Sequence, residues 1–171
     1  MEPIDELGRE LRDRVGAEFR EEAEAGEGMA AIAAARGRTF AEVAGHLAQR
    51  GARVRVEIAD KRFYGAVLAG GVDVIVVGMD GGTVIVNLAG CDLVTLHGPG
   101  DDTGMPRRGP GSLKAALYEL EGVEDIELGL RSGVALQGMI RVVGHDHVMF
   151  RDDHERVIPI TSVAWLIRRA D

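Results

Sequence analysis

Between Thr39 and Leu96 the hydrophobic period of the chain changes once, and between Ser112 and Ile167 it changes again in the same way. Phe40, Val43, Ala44 and Leu47 share one face of a short helix, which Thr39 opens and Gly51 ends. Thr39 and Glu42 predict a capping box, hydroxyl to backbone one way and carboxylate to backbone the other. From Arg53 the period drops to two: Val54, Val56 and Ile58 alternate with Arg53, Arg55 and Glu57, as a strand with one wet face should. Further strands are predicted over 63–69, 72–77, 83–88 and 93–96, with Gly70-Gly71 and Gly81-Gly82 at the turns. In the second stretch Ser112 is the cap, and Leu113, Ala116, Leu117 and Leu120 form the helix face. Gly122 is the stop, and Ala115 stands where the capping box would need Glu.

The two stretches keep register at an offset of 73, drifting to 72 in the loops, where length changes are cheap. Thr39 falls on Ser112, Val54-Val56-Ile58 on Ile126-Leu128-Leu130, Gly65 on Gly138, and Val86-Asn87-Leu88 on Ile158-Pro159-Ile160. Five short strands with tight turns predict a small closed barrel, and a glycine inside a strand (Gly65, Gly138) permits the bend that closure demands. Ahead of them Ile4, Leu7, Leu11, Val15 and Phe19 make one apolar stripe on a helix over about Asp5–Ala25, suited to dimerisation, partner docking or packing across the barrels. Met29–Arg36 is alanine-rich and suits a short helix. The expected organisation is a helical segment at 1–38, a helix-plus-barrel repeat at 39–97, a Gly/Pro linker at 98–111 and a second repeat at 112–171. In fold class this is mainly β with helices: two helix-capped five-stranded barrels as a pseudo-twofold pair behind an N-terminal amphipathic helix.

A capped helix followed by five bent strands resembles the Sm-like fold, within the broader SH3-like group of small barrels. The second repeat carries the resemblance in Leu130-Arg-Ser-Gly133, Gly138-Met-Ile140, Gly144-His-Asp146 and Val148-Met-Phe150. The first carries it in Ile58, Asp60, Gly65, Gly71, Asp73 and Ile75-Val76-Val77. The resemblance implies assembly by edge-to-edge strand pairing, which a covalent repeat can satisfy once internally. It also implies RNA binding through an asparagine after the motif aspartate and a basic residue at the turn between the fourth and fifth strands. Here Asp73 and Asp146 lead into apolar strand, with Val77 and Phe150 near the expected asparagine. The turns read Leu88-Ala-Gly-Cys91 and Ile160-Thr-Ser-Val163, so RNA binding does not carry over.

Charge agrees with that. The chain of 171 residues has a net charge of −8, and no folded stretch is basic, whereas phosphate-backbone binding draws on clustered Lys and Arg. Arg53, Arg55 and Arg62 are the residues an RNA- or nucleotide-binding alternative would use, but Glu57 shares the face of Arg53 and Arg55. No run of 18 apolar residues predicts a membrane span, and the acidic start lacks a signal-peptide core. A single cysteine, Cys91, fits a reducing cytoplasm, and two lysines against eighteen arginines fit a high-GC bacterial codon bias.

The densest set of metal-ligand residue types is His145-Asp146-His147 with Asp152-Asp153-His154. His145 and His147 share a strand face, and His154 could approach across a hairpin. Val72-Asp73-Val74 occupies the same place in the first repeat, so a polar turn is preferred to a metal site. Cys91 aligns with Val163 and reads as an inert thiol, Trp165 as core, and the glycine pairs match no phosphate-cradling motif. No cofactor is called for. The expected function is a non-enzymatic cytoplasmic binding or scaffolding module acting through protein–protein contacts, with self-association among its options.

Overall fold

The computed structural model describes residues 36–98 and 108–169. The chain divides after Arg38, and the helices and strands named below belong to the unit that begins at Thr39. The helix expected over Asp5–Ala25, nearly all of the alanine-rich run and most of the linker lie outside the described residues.

Helix α1 (Phe40–Gln49) precedes β1 (Arg53–Ile58), β2 (Lys61–Gly70), β3 (Val74–Met79), β4 (Gly82–Asn87) and β5 (Leu93–Leu96). Helix α2 (Leu113–Glu119) precedes β6 (Ile126–Leu130), β7 (Ala135–Val143), β8 (His147–Arg151), β9 (Glu155–Pro159) and β10 (Val163–Arg169). The capping box at α1 is formed: the Glu42 backbone N–H donates to Thr39 Oγ1 at 3.2 Å, and the Thr39 N–H donates to the Glu42 carboxylate at 2.6 Å. Ser112 accepts from the Ala115 N–H at 3.1 Å, the half-box that Ala115 leaves possible. Asp73, at the turn before β3, accepts from the Leu113 N–H at 2.8 Å and so caps α2 across the two halves.

The two closed barrels expected from the sequence are not present. The strands form one open antiparallel sheet of ten, in the order β5-β1-β2-β3-β4-β10-β6-β7-β8-β9. Closure within each half would need β4 to pair with β5 and β9 with β10. Instead β4 pairs with β10, Ile85 opposite Leu166 and Val86 opposite Trp165. The physical reason lies in both strands: Val84–Asn87 and Val163–Leu166 are buried at every position, so both faces of each are covered, as in a central strand. The in-strand glycines that suggested closure stand in an open sheet instead, Gly65 on β2 and Gly138 on β7. β2 slips between Val67 and Ala69, and β7 between Ile140 and Val142.

The order of strands repeats on either side of the β4–β10 junction, as does the register: Gly65 pairs with Val54, and Gly138 with Ile126. The cores do not respect the boundary. Ala164 and Trp165 belong to the core of the first half, where Trp165 meets Phe63 edge-on at 5.3 Å between ring centroids. Ala69, Val74, Val76 and Ile85 face the other way, into the core that α2 shares with the second half. Neither half can bury its own apolar surface without the other.

Candidate interaction surfaces

An open sheet ends in two edges, here β5 and β9. Both carry large apolar side chains in solvent: Leu93 and Leu96 on β5, Val157 on β9. Each also presents unpaired backbone groups. Alternation along the ladder turns those of Val94 and Leu96 outward from β1, and those of Glu155 and Val157 outward from β8. Such a row is a template for another strand. Both edges are partly guarded. β5 has only four residues, while β9 carries Glu155, Arg156 and Pro159, whose missing N–H falls on the outer side.

The arginines of the nucleic-acid alternative separate. Arg55 Nε lies 2.8 Å from the Glu57 carboxylate, an ionic contact off the hydrogen-bond direction, and Arg62 lies 3.5 Å from the same carboxylate, so one acid offsets both. Arg53 instead lines a half-open cavity of about 360 Å³ with Tyr64, Asp80 and His97, over the backbone of Gly65 and Gly78. The rings of Tyr64 and His97 are 6.3 Å apart and tilted by 45°. Neither residue stands out in the sequence as part of a site. Alternation from buried Phe63 is the signal that Tyr64 faces outward, whereas the β5–β1 pairing that brings His97 beside Arg53 is long-range.

The histidine cluster is split along β8. His147 begins the strand, with its Nδ1 2.9 Å from the Asp146 carboxylate, while His145 lies in the turn before it, so the two do not share a strand face as expected. His154 belongs to the hairpin at its other end, about 14 Å of strand rise away. There Asp152 accepts from the His154 N–H at 2.8 Å and pairs with Arg156 at 2.8 Å. These contacts hold both carboxyls below the usual carboxylate value. The His147 hydrogen bond does so for Asp146, and the His154 N–H followed by Arg156 for Asp152. Among the described residues no three His, Cys, Asp or Glu side chains converge as a metal site. Cys91 is half-buried, and burial pushes its thiol up, so it stays protonated and a poor nucleophile near neutrality. No described helix is long and apolar enough to cross a membrane. In comparison with known proteins, the chain matches no family, no curated protein and no solved structure.

Proposed function

We propose that the protein is a non-enzymatic binding or scaffolding module, working in the cytoplasm through protein–protein contacts at its two sheet edges. The observation that carries this reading is the coincidence of exposed Leu93, Leu96 and Val157 with unpaired strand backbone at β5 and β9. The residues with chemical potential elsewhere have structural partners: Asp73 caps α2, Asp152 braces a hairpin, and Cys91 is held as a thiol. The repeated strand order supports an internal duplication that left one copy of an edge at each end. Kinship with the Sm-like family belongs to the same proposal and rests on the glycine and aspartate positions, without the closed barrels. Capture from a bacterial lysate with wild-type protein and with Leu93→Lys and Val157→Lys variants tests it. The reading predicts partners lost from the charged variants. Identical recovery by all three proteins would contradict it.

A second reading, RNA or nucleotide binding, is favoured by one observation, the Arg53–Tyr64–His97 cavity, where aromatic rings and a cation could stack and pair a base. Fluorescence anisotropy with mixed RNA at low salt decides it. Tight binding that Arg53→Ala or Tyr64→Ala abolishes promotes this reading, and no binding dismisses it.

A further inference from the structure

We propose that the occupant of both edges is a second copy of this chain, added head to tail so that β9 of one copy pairs with β5 of the next in the register that β4 uses on β10. The proposal rests on the reading of the edges as docking surfaces and names their partner. It starts from a geometric equivalence. β10 stands to β6 as β5 stands to β1, Leu166 opposite Leu128 and Val94 opposite Val56. β9 stands to β8 as β4 stands to β3, Ile158 opposite Val148 and Val86 opposite Ile75. The molecule therefore contains one complete β4–β10 junction, and its two ends are the two halves of another.

Burial shows what those halves lack. Ile85, in the junction, is 8% exposed, while its counterpart Val157 is 67% exposed; Trp165 is 3% exposed and its counterpart Leu93 50%. The difference extends beyond the strands. Leu113, the first residue of α2, is 3% exposed, whereas Phe40 at the same place in α1 is 42% exposed. Ala69, which joins the core shared with α2, corresponds to Val142, which lies in solvent. One end of the chain thus offers Val142 and Val157, and the other offers Phe40, Leu93 and Leu96, complementary in kind and in place to what the internal junction buries.

The polar contacts transpose as well. Asp73 accepts from the Leu113 N–H at the start of α2, and Asp146 occupies the matching turn of the second half with its carboxylate in solvent. The Phe40 N–H, at the start of α1, has no intrahelical acceptor by helix geometry. In the head-to-tail pair Asp146 meets the Phe40 N–H of the next copy. By the internal register Leu93 then faces Ile158, Val94 faces Val157, Thr95 faces Arg156 and Leu96 faces Glu155. Val94–Val157 and Leu96–Glu155 are the pairs that exchange backbone hydrogen bonds.

Two departures set the strength. Asn87, whose side-chain amide donates to the Val163 carbonyl at 2.8 Å in the junction, is replaced by Pro159. Buried Val84 is replaced by Arg156. Both weaken the intermolecular contact relative to the tethered one and make it reversible. Because the two edges differ, the contact is heterologous; it closes into a ring or runs on as a filament according to the rotation it imposes.

The full chain, with Cys91→Ala, tests this through Thr95→Cys and Arg156→Cys. As a non-hydrogen-bonded pair their Cα atoms would lie about 4.5 Å apart, within disulfide reach. Under mild oxidation the double variant should give a ladder of covalent oligomers. Each single variant should form no covalent oligomer, and the two mixed should give covalent dimers only. Sedimentation of the unmodified protein should show mass rising with concentration, and Val157→Lys should raise the concentration required by about tenfold or more. Disulfide-linked dimers from either single variant, or no cross-link from the natively folded double variant and the mixture, would overturn the proposal. A monomeric wild type whose Lys variants still lose captured partners discards the second copy and leaves edge docking. No effect in either experiment discards both.

Discussion

Gly65 and Gly138 occupy the same place in their halves and for the same reason. A Cβ on Gly65 would collide with the carbonyl oxygen of Gly78, and one on Gly138 with that of Arg151, in each case backbone of the neighbouring strand. Neither strand can retreat without breaking its own ladder. Gly65→Val and Gly138→Val should each cost about 2–4 kcal/mol, read as a lowered urea midpoint, and unchanged midpoints would show that the close approach is not required. The sequence showed these glycines as special through their register. It did not show that the constraint is a neighbouring carbonyl, because that neighbour is brought in by pairing. Phe40 is a similar case: the helical period groups it with Ala44 and Leu47, yet only those two are buried, since a period names a face without saying how far the partner surface extends. Asp152 gives a pH test. Its folded pKa is lowered by the His154 N–H and Arg156, so its contribution is fully present above the unfolded value near 3.8 and is lost as pH falls through the folded pKa. An NMR titration should place its midpoint below 3.8, and Arg156→Ala should raise it; a midpoint at or above 3.8 in the wild type would refute the bracing contacts.

At the scale of elements, the strands and caps were largely legible. The period of two marks β1, the glycine pairs mark the turns around β3 and β4, and Thr39 and Ser112 mark the helix starts. The joining of β4 to β10 was not, because strand neighbours distant in sequence leave no local signature. One hint was present: Val84-Ile-Val86 and Val163-Ala-Trp-Leu166 are continuous apolar runs rather than alternating ones, the mark of strands covered on both faces. Asn87 pins this junction, its amide donating to the Val163 carbonyl and its carbonyl accepting from the Ala89 N–H at 3.0 Å. It is the buried polar residue of the described core. Asn87→Leu leaves a buried carbonyl unsatisfied and uncaps the short helical turn after β4, so it should cost about 1–3 kcal/mol in thermal or urea unfolding. A neutral substitution would mean that water or a shifted backbone replaces the clasp. The open histidine arrangement belongs to this scale too: proximity in sequence suggested a cluster, and the length of β8 separates its members.

For the whole molecule, the shared cores make independent unfolding of the halves impossible. Trp165 sits on a strand of the second half and in the core of the first, so its fluorescence should lose native character at the same denaturant concentration as far-UV circular dichroism. Two separated transitions would restore the picture of two barrels on a linker. The same architecture divides the strands into a protected centre and two exposed ends, and everything proposed for the edges depends on that division. Amide hydrogen exchange, resolved by residue and followed from dilute to concentrated solution, reads it strand by strand. Ile85 and Leu166 should exchange only on global unfolding. Val94, Leu96, Glu155 and Val157 should exchange fast when dilute, and these four should slow together as copies join. Fast exchange at Ile85 and Leu166, or edge amides already protected in dilute solution, would contradict the division.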